Sequence, residues 1–168
     1  ALSHGVNFGK LKKKNIDDRE IFLDALINKN KKFTFNILGY ANEQPKWNYQ
    51  FYKEIAKCKM ALNLSRGRAM KYYSSNRIAS LVANGIMTFI DKKVGYSDFF
   101  DENEMGFYKN VDDLLTQMDR LYSNINKVNK ISKNGKRKYF SIFNNLIISD
   151  YIISKTFNKK GKFKYVWE

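Results

Sequence analysis

One segment, residues 59–91, reads KMALNLSRGRAMKYYSSNRIASLVANGIMTFID and contains two short apolar runs separated by a polar loop. The runs are Met60–Leu64 and Ile86–Ile90, and they have the length and composition of buried strands. Between them, Arg77–Asn84 has apolar residues at helical spacing, and Gly85 suits the end of a helix. The order strand, loop, helix, strand predicts a βαβ unit of a parallel sheet.

The loop and the helix start of this unit contain the residues that we expect to bind an anion. The first N–H groups of a helix lack partners within the helix, and the helix dipole places partial positive charge there. A phosphate or diphosphate group is therefore the expected ligand. The simpler interpretation is that the serines cap the helix and the arginines are solvated. The candidates are Ser74, Ser75 and Asn76 at the helix start, with the cations Arg66, Arg68, Lys71 and Arg77.

The rest of the chain alternates between strand-like runs and segments with helical periodicity. Further strands are predicted at 1–5, 33–38 and 105–108, and further helices at 47–57, 111–122 and 137–157. Another helix is predicted to begin at Asp17 and Asp18, with an apolar face formed by Ile21, Phe22, Ala25, Leu26 and Ile27. A basic connector precedes the last helix, whose buried candidates are Tyr139, Phe143, Leu146, Ile147 and Ile153. This order predicts an α/β fold, a Rossmann-like parallel sheet with helices on both faces, formed by residues 1–168 as one domain.

Composition favours a folded, basic protein. The chain has 168 residues, of which 43% are hydrophobic, and a formal net charge of +15. Residues 125–168 contain eleven Lys and Arg and two acidic residues, a net charge of +9. Such an excess suits a polyanion or an anionic membrane surface, although a generally lysine-rich surface explains it equally well. No apolar run is long enough to predict a transmembrane helix.

Several familiar motifs are missing from the sequence. One cysteine, Cys58, and one histidine, His4, cannot form an internal disulfide or a typical zinc shell, so no metal site is predicted. The first loop, SHGVNFGKL, has neither the spacing of a Walker A motif nor a dinucleotide fingerprint. It nevertheless follows the first predicted strand, so Gly5 and Lys10 are candidates for a loop that faces a phosphate.

Residues 60–90 resemble the donor-binding core of glycosyltransferases built from two Rossmann-like domains, known as the GT-B type. In the group-1 form of this core, an arginine, a small residue and a glycine before a strand correspond to Arg77, Ala83 and Gly85. The glutamate of that pattern falls at Ser80. The resemblance identifies the chain as similar to the C-terminal domain of such an enzyme.

The fucosyltransferase form of the core gives a second alignment. Its helix opening corresponds conservatively to Tyr73, Ser75 and Arg77, and its glutamate falls at Asn76. In both alignments the acidic residue that typically holds the donor ribose is replaced by a neutral side chain. A hydroxyl or an amide would hold a ribose hydroxyl less strongly than a carboxylate does.

The resemblance implies transfer of a sugar from a nucleoside diphosphate sugar to a hydroxyl acceptor, without a bound metal. Arg77 would contact the diphosphate, with Lys10 or Arg66 as the second cation. Asn76 or Ser75 would contact the ribose or a phosphate. The loop 39–45 would form the wall for the base, with Tyr40 as the stacking partner.

The family also has a separate N-terminal domain for the acceptor, and we expect the given residues to correspond to the C-terminal domain without it. We expect the catalytic base to lie mainly on that domain, so that this domain alone would bind the donor with little or no turnover. The helix at 137–157 is expected to pack on the absent domain, and we favour that over a peripheral membrane position that would suit a lipid-linked acceptor. The expected location is cytoplasmic, with the inner membrane face as the second possibility.

The alternative function is a nucleic-acid-binding module without enzymatic activity, which would use the basic C-terminal third and its aromatic residues. The lysines are spread over several predicted elements, and no paired aromatic RNP pattern occurs. Nucleic acid is therefore the less favoured partner.

Overall fold

The computed structural model describes residues 2–3, 18–40, 43–65, 69–73 and 75–168. The strands within these ranges are β1 (Leu2–Ser3), β2 (Ile37–Leu38), β3 (Met60–Asn63), β4 (Met87–Asp91) and β5 (Gly106–Tyr108). The helices are α1 (Asp18–Lys29), α2 (Asn48–Ile55), α3 (Arg77–Ala83), α4 (Val111–Tyr122), α5 (Ile125–Ile142) and α6 (Asn145–Thr156). Two short 3-10 turns, Lys92–Val94 and Tyr96–Asp98, follow β4.

Every strand pairing among these elements is parallel. β4 lies between β3 and β5, and β1 pairs with β2. The described strands thus form two hydrogen-bonded sheets, β1-β2 and β3-β4-β5, and a contact between β1 and β3 places them side by side in the spatial order β2-β1-β3-β4-β5. This is the order of a doubly wound sheet whose direction of winding reverses between β1 and β3. The predicted α/β fold with a parallel sheet is therefore confirmed.

Helices cover both faces of the sheet because successive residues of a strand point in opposite directions. On one face, Met87 and Phe89 of β4 belong to a buried cluster with residues of α1, α4 and α5. On the other face, Ile90 packs with Ile78 and Val82 of α3. The cross-strand partner of Phe89 is Gly106, where a Cβ atom would lie 2.3 Å from the Phe89 ring, so a glycine is needed for this packing.

β2 is shorter than the predicted strand 33–38. Among the described residues, 33–36 make no strand pairing. These residues instead line a cavity of about 720 Å³ together with the start of β3. The cavity lies at the amino-terminal end of β3, away from the edge where a ligand of a parallel sheet is expected.

The predicted apolar face of α1 is partly wrong. Leu23, which was not predicted, is buried together with Leu26, whereas Ile21 and Ile27 are exposed. The buried face is centred between Leu23 and Leu26, and Ile21 lies on the opposite side of the helix.

The C-terminal region differs most from the sequence-based expectation. The basic connector is helical throughout, and the predicted helix 137–157 is instead the end of α5, a break and α6. The break occurs because Asn144 caps α6, its side chain accepting a hydrogen bond from the N–H of Ile147 at 3.0 Å. Ile142 is buried in the core, whereas the predicted core residues Leu146 and Ile153 are exposed.

α5 contains Gly135 at a point of close contact with another segment. A Cβ atom at this position would lie 2.1 Å from the backbone oxygen of Glu104. The absence of a side chain therefore allows α5 to lie against the loop before β5.

Candidate functional site

The candidate site lies at the carboxyl end of β3, beside the point where the winding of the sheet reverses. Ligands of open parallel sheets bind in the crevice at such a point. Among the residues that the structure describes there, Asn63, Leu64, Ser75 and Arg77 are in contact through hydrogen bonds. The predicted site residues Gly5, Lys10, Arg66, Arg68 and Ser74 lie outside the described residues.

Arg77 is the first residue of α3 and lies at the carboxyl end of β3. Its guanidinium donates a hydrogen bond to the backbone oxygen of Leu64 at 3.1 Å. Burial, with a smaller effect of the positive charge of Arg19 nearby, lowers the pKa of Arg77 to about 10. Within the described part of the chain, the Arg77 guanidinium makes no ion pair with a carboxylate.

Arg19, in the first turn of α1, was not among the predicted site residues. Arg19 belongs to the first helix after β1, and Arg77 begins the first helix after β3. Because the carboxyl ends of adjacent parallel strands meet at one edge of a sheet, the two helix starts lie close enough for the charge of Arg19 to lower the pKa of Arg77. The signal was therefore present in the sequence: a basic residue next to the predicted start of the first helix.

Ser75 contacts the sheet instead of capping α3. Its hydroxyl donates to the side-chain oxygen of Asn63 at 3.1 Å, and Asn63 is fully buried. Asn76 occupies the N-cap position with a helical backbone conformation, and its side chain makes no cap hydrogen bond. The simpler interpretation, in which the side chain of Ser75 caps this helix, is therefore wrong.

α3 begins at Arg77 and has seven residues. The N–H of Ile78 already donates to the backbone oxygen of Ser75 at 3.0 Å. An anion site here therefore depends on the side chains and their charges more than on the helix N-terminus.

Ser65, the last described residue before the loop at 66–68, has a buried hydroxyl. Its oxygen has no hydrogen-bond partner among the residues that the structure describes. A buried polar atom without a partner costs about 1–3 kcal/mol, so a ligand that hydrogen-bonds it would remove that cost. Ser65 was not singled out in the sequence because it precedes the arginine-containing loop and belongs to no motif.

Tyr40 lies just after β2 and is partly buried. Its hydroxyl hydrogen-bonds to Asp24 of α1, and its ring packs against the cluster of Leu23 and Leu64. Burial and this hydrogen bond raise the pKa of Tyr40 to about 12. The ring is thus held at the same edge of the sheet as Leu64, the residue that Arg77 contacts.

Tyr73 is largely exposed, and its side chain makes no hydrogen bond within the described ranges. The adjacent Tyr72 is the residue that fixes this turn. Its backbone N–H donates to Val94 at 2.7 Å, and its hydroxyl donates to Asp98 at 2.7 Å.

Other kinds of site are less well supported by the geometry. Over the described ranges, no group of three or more His, Cys, Asp and Glu side chains is arranged to hold a metal ion. None of the helices there combines the length and apolar content needed to cross a lipid bilayer. A cavity of about 520 Å³ at the carboxyl end of β5 is lined by both cationic and acidic side chains, among them Lys92, Arg120 and Asp113. It therefore shows no preference for an anion.

One comparison with known proteins gives a match. The family model described as glycosyl transferase-like matches residues 18–145, which are 128 of the 168 residues. The chain belongs to the glycosyl transferase-like family. The match includes β2 to β5, α1 to α5, Arg19 and Arg77, so the candidate site lies within the family region. Comparisons with curated proteins and with solved structures gave no match.

Proposed function

We propose that this chain is the nucleotide-sugar-binding domain of a glycosyltransferase with two Rossmann-like domains. The enzyme transfers a sugar from a nucleoside diphosphate sugar to a hydroxyl group of the acceptor. Membership of the glycosyl transferase-like family supports the reaction class, and the parallel sheet with helices on both faces suits a nucleotide.

The observation that carries this proposal is the environment of Arg77. A cation that is partly removed from water and lies near a second cation is less favourable until a negative charge joins it. Among the described residues, Arg77 has a backbone oxygen as its partner and no carboxylate. The diphosphate of the donor supplies the missing negative charge, with Arg77 as one cation and Arg19 next to it.

The neighbouring polar groups suit the remainder of the nucleotide. Ser65 and Ser75 have hydroxyl groups at the same strand end, and Asn76 is exposed beside them. These groups contact the ribose or a phosphate. Tyr40 forms part of the wall for the base, because its ring is anchored next to Leu64.

The chemistry follows from where negative charge develops. The acceptor oxygen bonds to the anomeric carbon as the bond from that carbon to the diphosphate oxygen breaks, and the acceptor proton passes to a base. Arg77 stabilises the negative charge on the departing diphosphate, so the reaction needs no metal. The base lies on a separate acceptor domain, and this domain alone therefore binds the donor but turns over little.

A ligand screen tests the proposal. UDP, GDP, ADP and CMP, with their sugars, are added to the wild type and to Arg77→Gln, and thermal unfolding is followed. Glutamine keeps a donor for the backbone oxygen of Leu64 while it removes the charge. One nucleoside diphosphate, at about 100 times its Kd, should raise the Tm of the wild type by about 5–10 °C. The same ligand should leave the Tm of Arg77→Gln unchanged.

Arg137→Gln is the matched control, because Arg137 is exposed on α5 and its replacement removes the same charge away from the site. This variant should bind the nucleotide as the wild type does. Equal loss of binding in both variants would indicate an unspecific charge effect and contradict the assignment of Arg77. Salt-dependent binding of unrelated oligonucleotides, unaffected by nucleotide sugars, would instead favour the nucleic-acid-binding alternative.

A further inference from the structure

The cavity at the amino-terminal end of β3 lies between two segments of the chain that lead into neighbouring parts of the sheet. One side is formed by residues 33–37, which lead into β2, and the other by residues 57–62, which lead into β3 and form most of it. The cavity, of about 720 Å³, is therefore bounded on two sides by these segments. Apolar side chains of the helices and of β4 also line it: Leu26, Phe89, Leu114, Met118 and Val128.

β1 is directed along this cavity. It lies between β2 and β3, and Leu2 pairs in parallel with Ile37. Because paired parallel strands run in the same direction, the chain before Leu2 continues opposite the residues before Ile37. In this register, the four positions before Leu2 fall opposite residues 33–36, a length of about 13 Å of extended chain. An extension of β1 toward its amino terminus would therefore lie in the cavity.

The segment beside the cavity has the features of a strand that lacks a neighbour. Its sequence, FTFNIL at 33–38, is strand-like, yet only Ile37–Leu38 is a strand. Within the described residues, the backbone N–H and carbonyl groups of Thr34 and Phe35 make no hydrogen bond. Unpaired backbone groups of an extended segment can pair with a further strand.

The side chains on the two sides of the cavity leave part of the core uncovered. They pack against the buried cluster that contains Phe89, but each of them is only partly buried. A strand between the two sides would place every second side chain over the same cluster, and burial of apolar side chains there would stabilise the fold. The expected occupant therefore has apolar residues at alternate positions. The partly buried side chains are Phe33, Phe35, Met60 and Leu62.

We propose that this cavity is the binding site of an extended segment of the same chain, namely the residues that precede Ala1 in the full-length enzyme. This segment lengthens β1 toward the amino terminus. Its backbone pairs with residues 33–36 on one side and with β3 on the other, and its alternate side chains complete the core cluster. The segment leads from the acceptor domain into the donor-binding domain, an origin that rests on the proposed function.

Other occupants agree less well with the geometry. A small apolar ligand would fill the cavity but leave the backbone groups of Thr34 and Phe35 unpaired. A strand from a second copy would have to enter between two strands of this chain and end against Leu2. A segment joined covalently to β1 is already in line with the cavity and has a high effective concentration there.

Three forms of the protein test the proposal: residues 1–168, the same residues preceded by the segment that the gene encodes before Ala1, and the same residues preceded by a Gly-Ser segment of equal length. A segment of about six residues, ~20 Å when extended, is long enough. Hydrogen exchange with mass spectrometry and thermal unfolding are measured on each form. The natural segment should slow exchange in residues 33–36 at least 10-fold and raise the Tm by about 5–10 °C, and the Gly-Ser segment should do neither.

Two controls show whether a strand is responsible. In a fourth form, two neighbouring residues of the natural segment are replaced by proline, which removes backbone donors whichever way they point. This form should behave like the Gly-Ser form. Within the natural-segment form, exchange in β5, at the opposite edge of the described strands, should slow less than exchange in residues 33–36.

These measurements use no nucleotide, so a failure to bind any nucleoside diphosphate would leave their result unchanged. Unchanged exchange in residues 33–36, or equal effects of the natural, proline and Gly-Ser segments, would overturn the proposal. A natural chain without residues before Ala1 would do the same. Equal, measurable binding of the apolar dye anilinonaphthalene sulfonate with and without the natural segment would also overturn it, because the cavity would then stay open to a small ligand.

Discussion

Tyr108 shows how a single side chain can oppose the stability of the fold that buries it. The residue is 1% exposed at the end of β5, and its hydroxyl has no hydrogen-bond partner among the described residues. Burial, with a smaller effect of Asp91, raises the pKa of this hydroxyl above its ordinary value. Burial of the ring stabilises the folded state, whereas burial of the unpaired hydroxyl lowers the free energy of unfolding.

We therefore expect Tyr108→Phe to stabilise the protein by about 1–2 kcal/mol at neutral pH, because the ring stays and the unsatisfied hydroxyl is removed. Urea unfolding of both proteins measures this difference. A less stable variant would show that the hydroxyl has a partner after all.

The pH dependence of this difference has a defined sign. A tyrosine whose pKa is raised in the folded state binds its proton more tightly there than in the unfolded chain. The free energy of unfolding is therefore unaffected by this titration below the unfolded pKa of about 10, and it decreases as the pH rises above 10. The advantage of Tyr108→Phe should therefore grow in alkaline solution, and a constant difference across this range would contradict the raised pKa.

Helix caps set the boundaries of the later elements. Asn110, Asn124 and Asn144 begin α4, α5 and α6, and each side chain accepts a hydrogen bond from a backbone N–H of the first turn. At α4 the side chain of Asp113 also accepts a hydrogen bond, at 2.8 Å, from the backbone N–H of Lys109, the residue before the cap. These contacts explain why the three helices start where they do.

Asn110→Ala should lower the free energy of unfolding by about 1 kcal/mol, because the N–H of Asp113 loses its acceptor. Asn76→Ala is the matched control: Asn76 also stands at an N-cap but makes no side-chain cap bond, so its replacement should change stability by less than about 0.5 kcal/mol. Chemical denaturation of both variants measures the two costs. Equal costs would show that the two caps do not differ in the way the structure describes.

At the scale of the whole molecule, the tail after α6 (residues 157–168) connects α6 to the aromatic core. The rings of Trp167 and Phe143 stack with centroids 5.6 Å apart and an interplanar angle of 10°. Phe143 packs in turn against the core cluster that contains Ile90 and Phe100. The C-terminal residues therefore take part in the fold.

Trp167→Ala should loosen this connection and leave the sheet intact. Hydrogen exchange of α6 amides should become roughly 5–30 times faster, which corresponds to a local loss of about 1–2 kcal/mol. Amides of β4 should exchange at an unchanged rate, because β4 is buried in the centre of its sheet. A uniform increase in both elements would mean that the tail supports the whole fold and not α6 alone.

The sequence predicted the elements that depend on local pattern. The bounds of α4 are as predicted, since Asp112 and Asp113 mark its start and its apolar face repeats regularly. β2 was overestimated because strand length depends on a partner elsewhere in the chain. The boundary between α5 and α6 was predicted wrongly. The continuation of α5 through Gly135 and the start of α6 at the Asn144 cap depend on contacts that the spacing of apolar residues does not reveal.

The candidate site was predictable only where it depends on the order of strands and helices. The position of Arg77 at the carboxyl end of β3 follows from the order of strands and helices. The hydrogen bond between Ser75 and Asn63 and the approach of Arg19 do not, because they join segments far apart in sequence. The roles of Arg77 and the other site residues in donor binding stay predictions.

The glycine in α5 has one more consequence. On its own, a peptide with this sequence would become more helical if residue 135 were alanine, because glycine is the poorer helix former by about 1 kcal/mol. In the folded protein the added methyl group would collide with the backbone at Glu104. An alanine at residue 135 would thus stabilise the helix in the isolated peptide but prevent its close packing in the folded protein. Residue 135 therefore suits the contact of α5 with Glu104 and not the helix propensity of α5.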